Sequence, residues 1–138
     1  DRPVCEGVVN SSGTPGQLVI GGSTKVADNE VSLQLFGLPG NVPCYALLSR
    51  SAGFTANPGG SQGNLCLSGG IGRMALSLFV ASPEGRGQVA LDLTALREPS
   101  GYVAAQPGDR WYFQAWYRDA VSGTATSNFT SASALLLD

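Results

Sequence analysis

The sequence predicts an all-β domain: an antiparallel β-sandwich of eight or nine short strands, either immunoglobulin-like or jelly-roll-like. Apolar and polar residues alternate over many short segments, as they do in strands that are buried on one face. The 19 glycines and 8 prolines interrupt almost every window before a helical i, i+3, i+4 pattern can accumulate. Because 138 residues is the usual length of one domain, we expect residues 1–138 to form a single one.

The strands follow from the alternation, which is clearest at residues 18–20, 31–36, 74–80 and 89–94. Shorter apolar runs predict further strands at about 4–9, 42–49, 64–68, 110–118 and 129–137. Residues 49–63 have too few apolar side chains for a strand, so we expect an exposed loop of about 15 residues there. Residues 97–108, with Pro99, Gly101 and Pro107, predict a crossover, preceded by a short helical turn near Ala95.

The charge content limits the partners. Only 13% of the residues are charged and the net charge is −2, which favours self-association or docking on an uncharged partner. Lys25 is the only lysine and the arginines are scattered, so no basic patch exists for nucleic acid. No apolar run reaches the roughly 18 residues of a membrane span.

The cellular location is predicted from the N-terminus, the composition and the cysteines. The chain starts at Asp1 without a methionine or leader, as a mature or trimmed product would. Scarce lysine, an acidic composition and three cysteines fit a secreted or cell-surface protein in an oxidising space. Two of Cys5, Cys44 and Cys66 could pair there, and one must remain over.

Most enzyme chemistry lacks the required residues. The chain has no histidine, which excludes histidine-activated nucleophiles and the usual zinc, copper and iron sites. Lys25 lacks the context of a Ser-Lys dyad, and the ten acids are mostly single turn residues. We therefore predict no enzyme, no catalytic residue, no cofactor and no metal. Asp28-Asn29-Glu30 could offer oxygens to calcium, but the spacing is not that of an EF-hand and a polar turn is favoured.

The sharpest feature is the aromatic segment 109–119. Side chains alternate along a strand, so one face holds Trp111, Phe113, Ala115 and Tyr117 and belongs to the core. The other face forms the candidate binding surface, with these residues: Tyr112, Gln114, Trp116 and Arg118. Its rings and donors could stack on sugar rings of a polysaccharide. The favoured alternative is that a loop covers this face as a minor core, with Arg118 paired to Asp119 or Asp109.

Two sequons for N-glycosylation are also present. They are Asn10-Ser11-Ser12 and Asn128-Phe129-Thr130. They carry little weight in predicting function.

Residues 57–73 (NPGGSQGNLCLSGGIGR), 113–119 (FQAWYRD) and 127–130 resemble a domain found at the C-terminus of secreted multidomain proteins of planctomycetes and myxobacteria. Residues 10–16 match the N-terminal stretch of that family, whose function is uncharacterised. The resemblance implies a bacterial extracellular protein in which Cys5 pairs with Cys66. Cys44 is then the remaining cysteine, which we expect to be a small buried side chain rather than an intermolecular bridge.

These observations favour a non-catalytic, secreted structural or adhesive subunit that assembles with itself. Strand edges, or an exchanged terminal strand at about 4–9 or 132–137, would make the contact. The alternative is a carbohydrate-binding accessory module that uses Tyr112, Trp116 and Arg118. An enzyme ranks last.

Overall fold

A computed structural model describes residues 3–138, and all strand pairs in that range are antiparallel. The predicted all-β class is therefore confirmed. The described part of the chain forms these strands: β1 (Pro3–Cys5), β2 (Gln17–Gly22), β3 (Val31–Phe36), β4 (Pro43–Ser49), β5 (Ser51–Ala56), β6 (Asn64–Ser68), β7 (Gly72–Arg73), β8 (Phe79–Val80), β9 (Gly87–Leu91), β10 (Leu96–Glu98), β11 (Gly101–Val103), β12 (Arg110–Val121), β13 (Thr124–Phe129) and β14 (Ala132–Leu136).

The strands form four sheets. The largest has the order β1-β14-β12-β4-β7, with β13 also paired to β12 and β8 also paired to β4. A second sheet has the order β2-β3-β9, and β5-β6 and β10-β11 are separate hairpins. The strands outnumber the predicted eight or nine because β5, β10, β11 and most of β13 form where no strand was predicted, and because the predicted strand at 74–80 is divided into β7 and β8.

The main core lies between the largest sheet and the β2-β3-β9 sheet. The inward side chains of β3, including Leu33 and Leu35, belong to the same apolar cluster as Phe113 and Tyr117 of β12. All four residues assigned to the core face of the aromatic strand are buried: Trp111, Phe113, Ala115 and Tyr117. That part of the sequence analysis is confirmed.

The predicted loop at 49–63 is wrong. Residues Ser51–Ala56 form β5, which pairs with β6, and only the following Pro58–Gly60 turn is helical, as a short 3-10 segment. An apolar pattern could not reveal this strand, because its side chains are mostly exposed. Its stability comes from backbone hydrogen bonds to β6, which do not require an apolar face.

The continuous strand predicted at 74–80 is also wrong. β7 and β8 pair with opposite ends of β4, and a 3-10 turn at Ala75–Ser77 separates them. Cys44 faces Phe79 and Leu48 faces Gly72, so six residues on the outer strand span only three on β4. The extra residues bulge outward, which carries Leu76 away from the core.

Three other boundaries differ from the prediction. The expected crossover at 97–108 begins with the β10–β11 hairpin, and Ala95 lies in a hydrogen-bonded turn rather than a helix. The strand expected at 4–9 ends at Cys5, with an isolated bridge between Val9 and Pro15. The segment 129–137 is divided between β13 and β14, because the chain turns between the two strands at Thr130 and Ser131.

The cysteines are arranged as the family resemblance implies. A disulfide joins Cys5 of β1 to Cys66 of β6, which confirms the expected pair. Cys44 is a free, buried thiol in the main core, and burial raises its pKa to about 12. It is therefore unreactive while the chain is folded.

We expect the double substitution Cys5→Ser/Cys66→Ser to lower the free energy of unfolding by about 4 kcal/mol, because the bond closes a loop of about 60 residues in the unfolded chain. Urea denaturation measures the change. Cys44→Ala is the control, since it removes a thiol and keeps the bridge. A double variant no less stable than this control would contradict the expected role of the bridge.

Candidate functional site

The second face of β12 lies over a small apolar cluster, separate from the main core, formed by Leu47, Cys66, Leu67, Phe129 and Ala132. Tyr112 and Trp116 are half-buried and pack against this cluster. The β5–β6 hairpin supplies its cover, with Leu65, Cys66 and Leu67 on β6. The favoured alternative is right that the second face is a minor core, but a β-hairpin rather than a loop covers it.

Gln114 lies at the centre of this face and is not displayed. Its side chain is fully buried. Its amide oxygen accepts a hydrogen bond from the backbone N–H of Cys66, and its amide nitrogen donates to the carbonyls of Asn64 and Thr130. The bonds to Cys66 and Asn64 tie the β5–β6 hairpin to β12, so Gln114 is a structural side chain rather than a free donor for a ligand.

Trp116 and Arg118 lie at the outer end of the same face. The Trp116 ring stacks on Tyr45, the residue opposite it on β4, with centroids 5.1 Å apart and an angle of 28°. The Arg118 guanidinium lies 5.2 Å from the Trp116 ring centroid. Arg118 does not pair with Asp119 or Asp109 as expected; Asp109 pairs with Arg50 at 3.5 Å. Arg118 is drawn to the electron-rich ring instead.

A groove of about 260 Å³ lies between this aromatic pair and the β5–β6 hairpin. Tyr45 and Trp116 line it, together with Leu65, Ile71 and Arg73. Sequence reasoning placed Trp116 here but missed Tyr45, since only the register between β4 and β12 brings the two rings together. We call this the aromatic groove.

A larger groove of about 530 Å³ opens on another side, between β9 and the bulge that connects β7 to β8. Its lining is mostly apolar, with these residues among others: Met74, Leu76, Ala90, Leu91, Leu96 and Tyr102. Leu76 is 93% exposed and Tyr102 60% exposed. Arg97 lies over the Tyr102 ring at 5.1 Å. We call this the open groove; the alternation at 74–80 revealed its apolar residues but not their exposure.

The two edges of the β2-β3-β9 sheet differ. At the β2 edge, the hydroxyl of Ser131 accepts a bond from the N–H of Leu18, and the hydroxyl of Ser133 donates to the carbonyl of Leu18. Among the described residues, no hydrogen bond joins the outer edge of β9 to another strand. Side chains thus satisfy the backbone groups of Leu18 at one edge, while the other edge borders the open groove.

A buried polar cluster fixes the N-terminal segment to β12 and β13. The Asn10 amide donates to the carbonyl of Gly37 and the hydroxyl of Tyr117, and Asp119 accepts bonds from Ser11 and Asn128. Burial raises the pKa of Tyr117 to about 12. Both sequon asparagines are buried with their amides hydrogen-bonded, so neither presents a free amide at the folded surface.

The turn at 28–30 is held by hydrogen bonds to neighbouring segments. Asp28 accepts a bond from the Ser23 hydroxyl, and the Asn29 side chain binds both Leu93 N–H and the Asp92 carboxylate. Asn29 has a positive φ of 46°, a conformation that asparagine tolerates. Within residues 3–138, no group of three or more histidine, cysteine or acidic side chains could hold a metal ion.

Searches of protein-family models, of curated proteins and of solved structures found no match to this chain. In the described part of the chain, no helix is long and apolar enough to cross a membrane.

The polar cluster makes stability depend on pH through Asp119. Burial raises the pKa of its carboxyl, but hydrogen bonds from Ser11, Ala120 and Asn128 outweigh this and lower the pKa below the usual 3.8. The ionised group therefore stabilises the fold above about pH 4, and this contribution is lost as the pH falls through the lowered pKa.

We expect Asp119→Asn to destabilise the protein most near neutral pH and progressively less below about pH 4, where the wild-type carboxyl is itself protonated. Urea denaturation across this pH range gives the difference. Glu84→Gln, which alters an exposed carboxyl in a turn, is the matched control. A constant difference between Asp119→Asn and wild type at every pH would contradict the assignment.

Proposed function

We propose that the protein is a non-catalytic, secreted structural or adhesive subunit that associates with itself through strand edges. The observation that carries this proposal is the open groove, where an exposed leucine, an apolar lining and the outer edge of β9 lie on one side of the molecule. Unpaired strand edges are templates for pairing, and an apolar rim adds a driving force for association.

The surface chemistry supports the same proposal. A net charge of −2 and 13% charged residues provide little repulsion between copies. Leu76 extends into solvent although burying a leucine side chain is worth about 1.5–3 kcal/mol, so an interface that covers it gains that free energy.

The proposal also includes the domain organisation, the type of sandwich, the extracellular location and the lack of catalysis. We assign residues 1–138 to one domain, a two-sheet sandwich of immunoglobulin-like or jelly-roll-like type, with β2-β3-β9 facing the largest sheet. The Cys5–Cys66 bridge favours an oxidising, extracellular location. The resemblance to the C-terminal domain of secreted planctomycete and myxobacterial proteins points the same way. The lack of histidine favours a role without catalysis.

Exchange of a terminal strand is the less favoured route to assembly. β1 is tethered by the disulfide, and β14 is already paired on both sides, with β1 and β12. Moving either strand to a second copy would break bonds that the monomer has made. Association at an unpaired edge breaks none, so we assign the contact to the open groove.

Leu76→Ser is expected to weaken self-association about tenfold or more, because the interface loses the burial of one leucine side chain. Sedimentation equilibrium over a range of concentrations gives the dissociation constant. Folding should be unaffected, since the side chain is outside both cores. Leu136→Ser, at a leucine 53% exposed on β14, is the matched control. A wild-type protein that stays monomeric at every concentration would refute the proposal.

A second candidate function is carbohydrate binding at the aromatic groove. The stacked Trp116 and Tyr45 rings line it, and Arg73 supplies hydrogen-bond donors. Of the residues predicted from the sequence, Trp116, Arg118 and the half-buried Tyr112 remain in this proposal; Gln114 is held in the interior. A surface polysaccharide is the partner that such rings would recognise.

If this second function holds, the wild-type protein is retained on insoluble polysaccharides, and Trp116→Ala reduces retention about tenfold or more, as loss of a stacking aromatic does. Pull-down of the protein with washed polysaccharide measures it, and thermal unfolding verifies that the variant is folded. Phe54→Ala, at an aromatic residue 67% exposed on β5, is the control. No retention of the wild type, or equal retention of both variants, would eliminate this function.

A further inference from the structure

The charges along β9 point to the partner of the open edge. Arg86 precedes the strand, Asp92 follows it, and both are exposed together with Gln88 and Ala90, which lie between them. Gly87, Val89 and Leu91 face the opposite way, toward the interior. The outward face thus carries a cation at one end and a carboxylate at the other.

This distribution is complementary to itself when the strand is reversed. If two β9 strands run antiparallel about a two-fold axis at Val89, Arg86 of each copy faces Asp92 of the other, and Gln88 faces Ala90. Two pairs of opposite charge then flank a neutral centre. A two-fold interface must be complementary to itself in this way, because the same surface serves both partners.

We propose that a second copy of this chain pairs with β9 in that register and joins the two β2-β3-β9 sheets into one six-stranded sheet. The inference rests on the proposed self-association and specifies its geometry. Among the described residues, the outer edge of β9 has no strand partner, and the open groove beside it offers apolar area. Cross-strand ion pairs would fix the register, and the groove would add apolar burial.

The local structure leaves this edge accessible. At the start of β9, the Phe79 ring packs against the inward side of Gly87, where any Cβ would collide with the ring. This contact is on the inner face of the strand and does not cover its outer edge. Arg86 lies 5.5 Å from the Phe36 ring centroid and has no acidic partner among the described residues. Asp92 uses one carboxylate oxygen to bind Thr94 and Asn29, which leaves the other oxygen for an arginine from a second copy.

The test uses two single charge reversals, Arg86→Asp and Asp92→Lys. Each variant alone places like charges opposite each other at both ends of the paired strands. Each is expected to raise the dissociation constant of its homodimer roughly tenfold or more. An equimolar mixture of the two variants restores opposite charges at both ends, so it should form heterodimers with an affinity within about threefold of the wild type.

Sedimentation equilibrium at low and high salt provides the readout, and salt should reduce the differences among the variants. Lys25→Asp is the matched control, because it changes the net charge as much as Arg86→Asp at an exposed site that is not part of β9. Asp92→Asn is the second variant on the acidic side. It keeps an oxygen for the Thr94 bonds, and we expect a smaller loss of affinity.

The outcomes separate the two proposals. Recovery in the mixture, but not in either variant alone, supports the antiparallel β9 pair. If the wild type associates, but the Arg86→Asp variant, the Asp92→Lys variant and their mixture all have the dissociation constant of the wild type, this register is refuted and self-association stands. A wild type that is monomeric throughout would refute both. Weakening by Lys25→Asp equal to that by Arg86→Asp would show an effect of net charge only and would overturn the inference.

Discussion

The fold depends on β12 being paired along both edges and buried on both faces. β4 runs along one edge, β14 and then β13 run along the other, and the pairing covers nearly all of its twelve residues. Trp111, Phe113 and Tyr117 enter the main core, whereas Gln114 enters the second cluster. A slip of one residue would place the Gln114 amide in the apolar core and expel the three aromatic rings, so the register is strongly specified.

Burial of both faces explains why the molecule needs its β5–β6 hairpin. A single-faced strand could leave Tyr112, Gln114 and Trp116 in water, but here Gln114 is sealed by three bonds to backbone groups. The disulfide at Cys66 acts at the same place, since Cys66 both donates its backbone N–H to the Gln114 amide oxygen and is bonded to Cys5 of β1. A face used in this way has little area left for a ligand, and only its rim at Trp116 and Tyr45 is available. That limits the carbohydrate interpretation.

The sequence predicted burial correctly where the alternation within a strand is enough to decide which of its side chains are buried. Alternation along 110–117 predicted the buried side of β12, and the same pattern located β3 and β9. It was uninformative where the environment depends on a neighbour. The alternation at 74–80 is as regular as that at 31–36, yet β4 offers only three residues opposite six, so the excess must bulge and Leu76 becomes exposed. Likewise, nothing in either segment alone pairs Tyr45 with Trp116.

The two sides of the β2-β3-β9 sheet show how strand edges are managed here. At β2 the hydroxyls of Ser131 and Ser133 satisfy the N–H and carbonyl of Leu18, so that edge offers less to a partner. On the side where β9 lies, the bulge between β7 and β8 interrupts the outer strand of the largest sheet. This bulge prevents regular pairing of another strand with β7 and β8. β9 lies beside that bulge and has neither device among the described residues. The proposed self-association at β9 uses this difference, because the backbone of Leu18 at the β2 edge already has side-chain partners whereas the outer edge of β9 has no strand partner among the described residues.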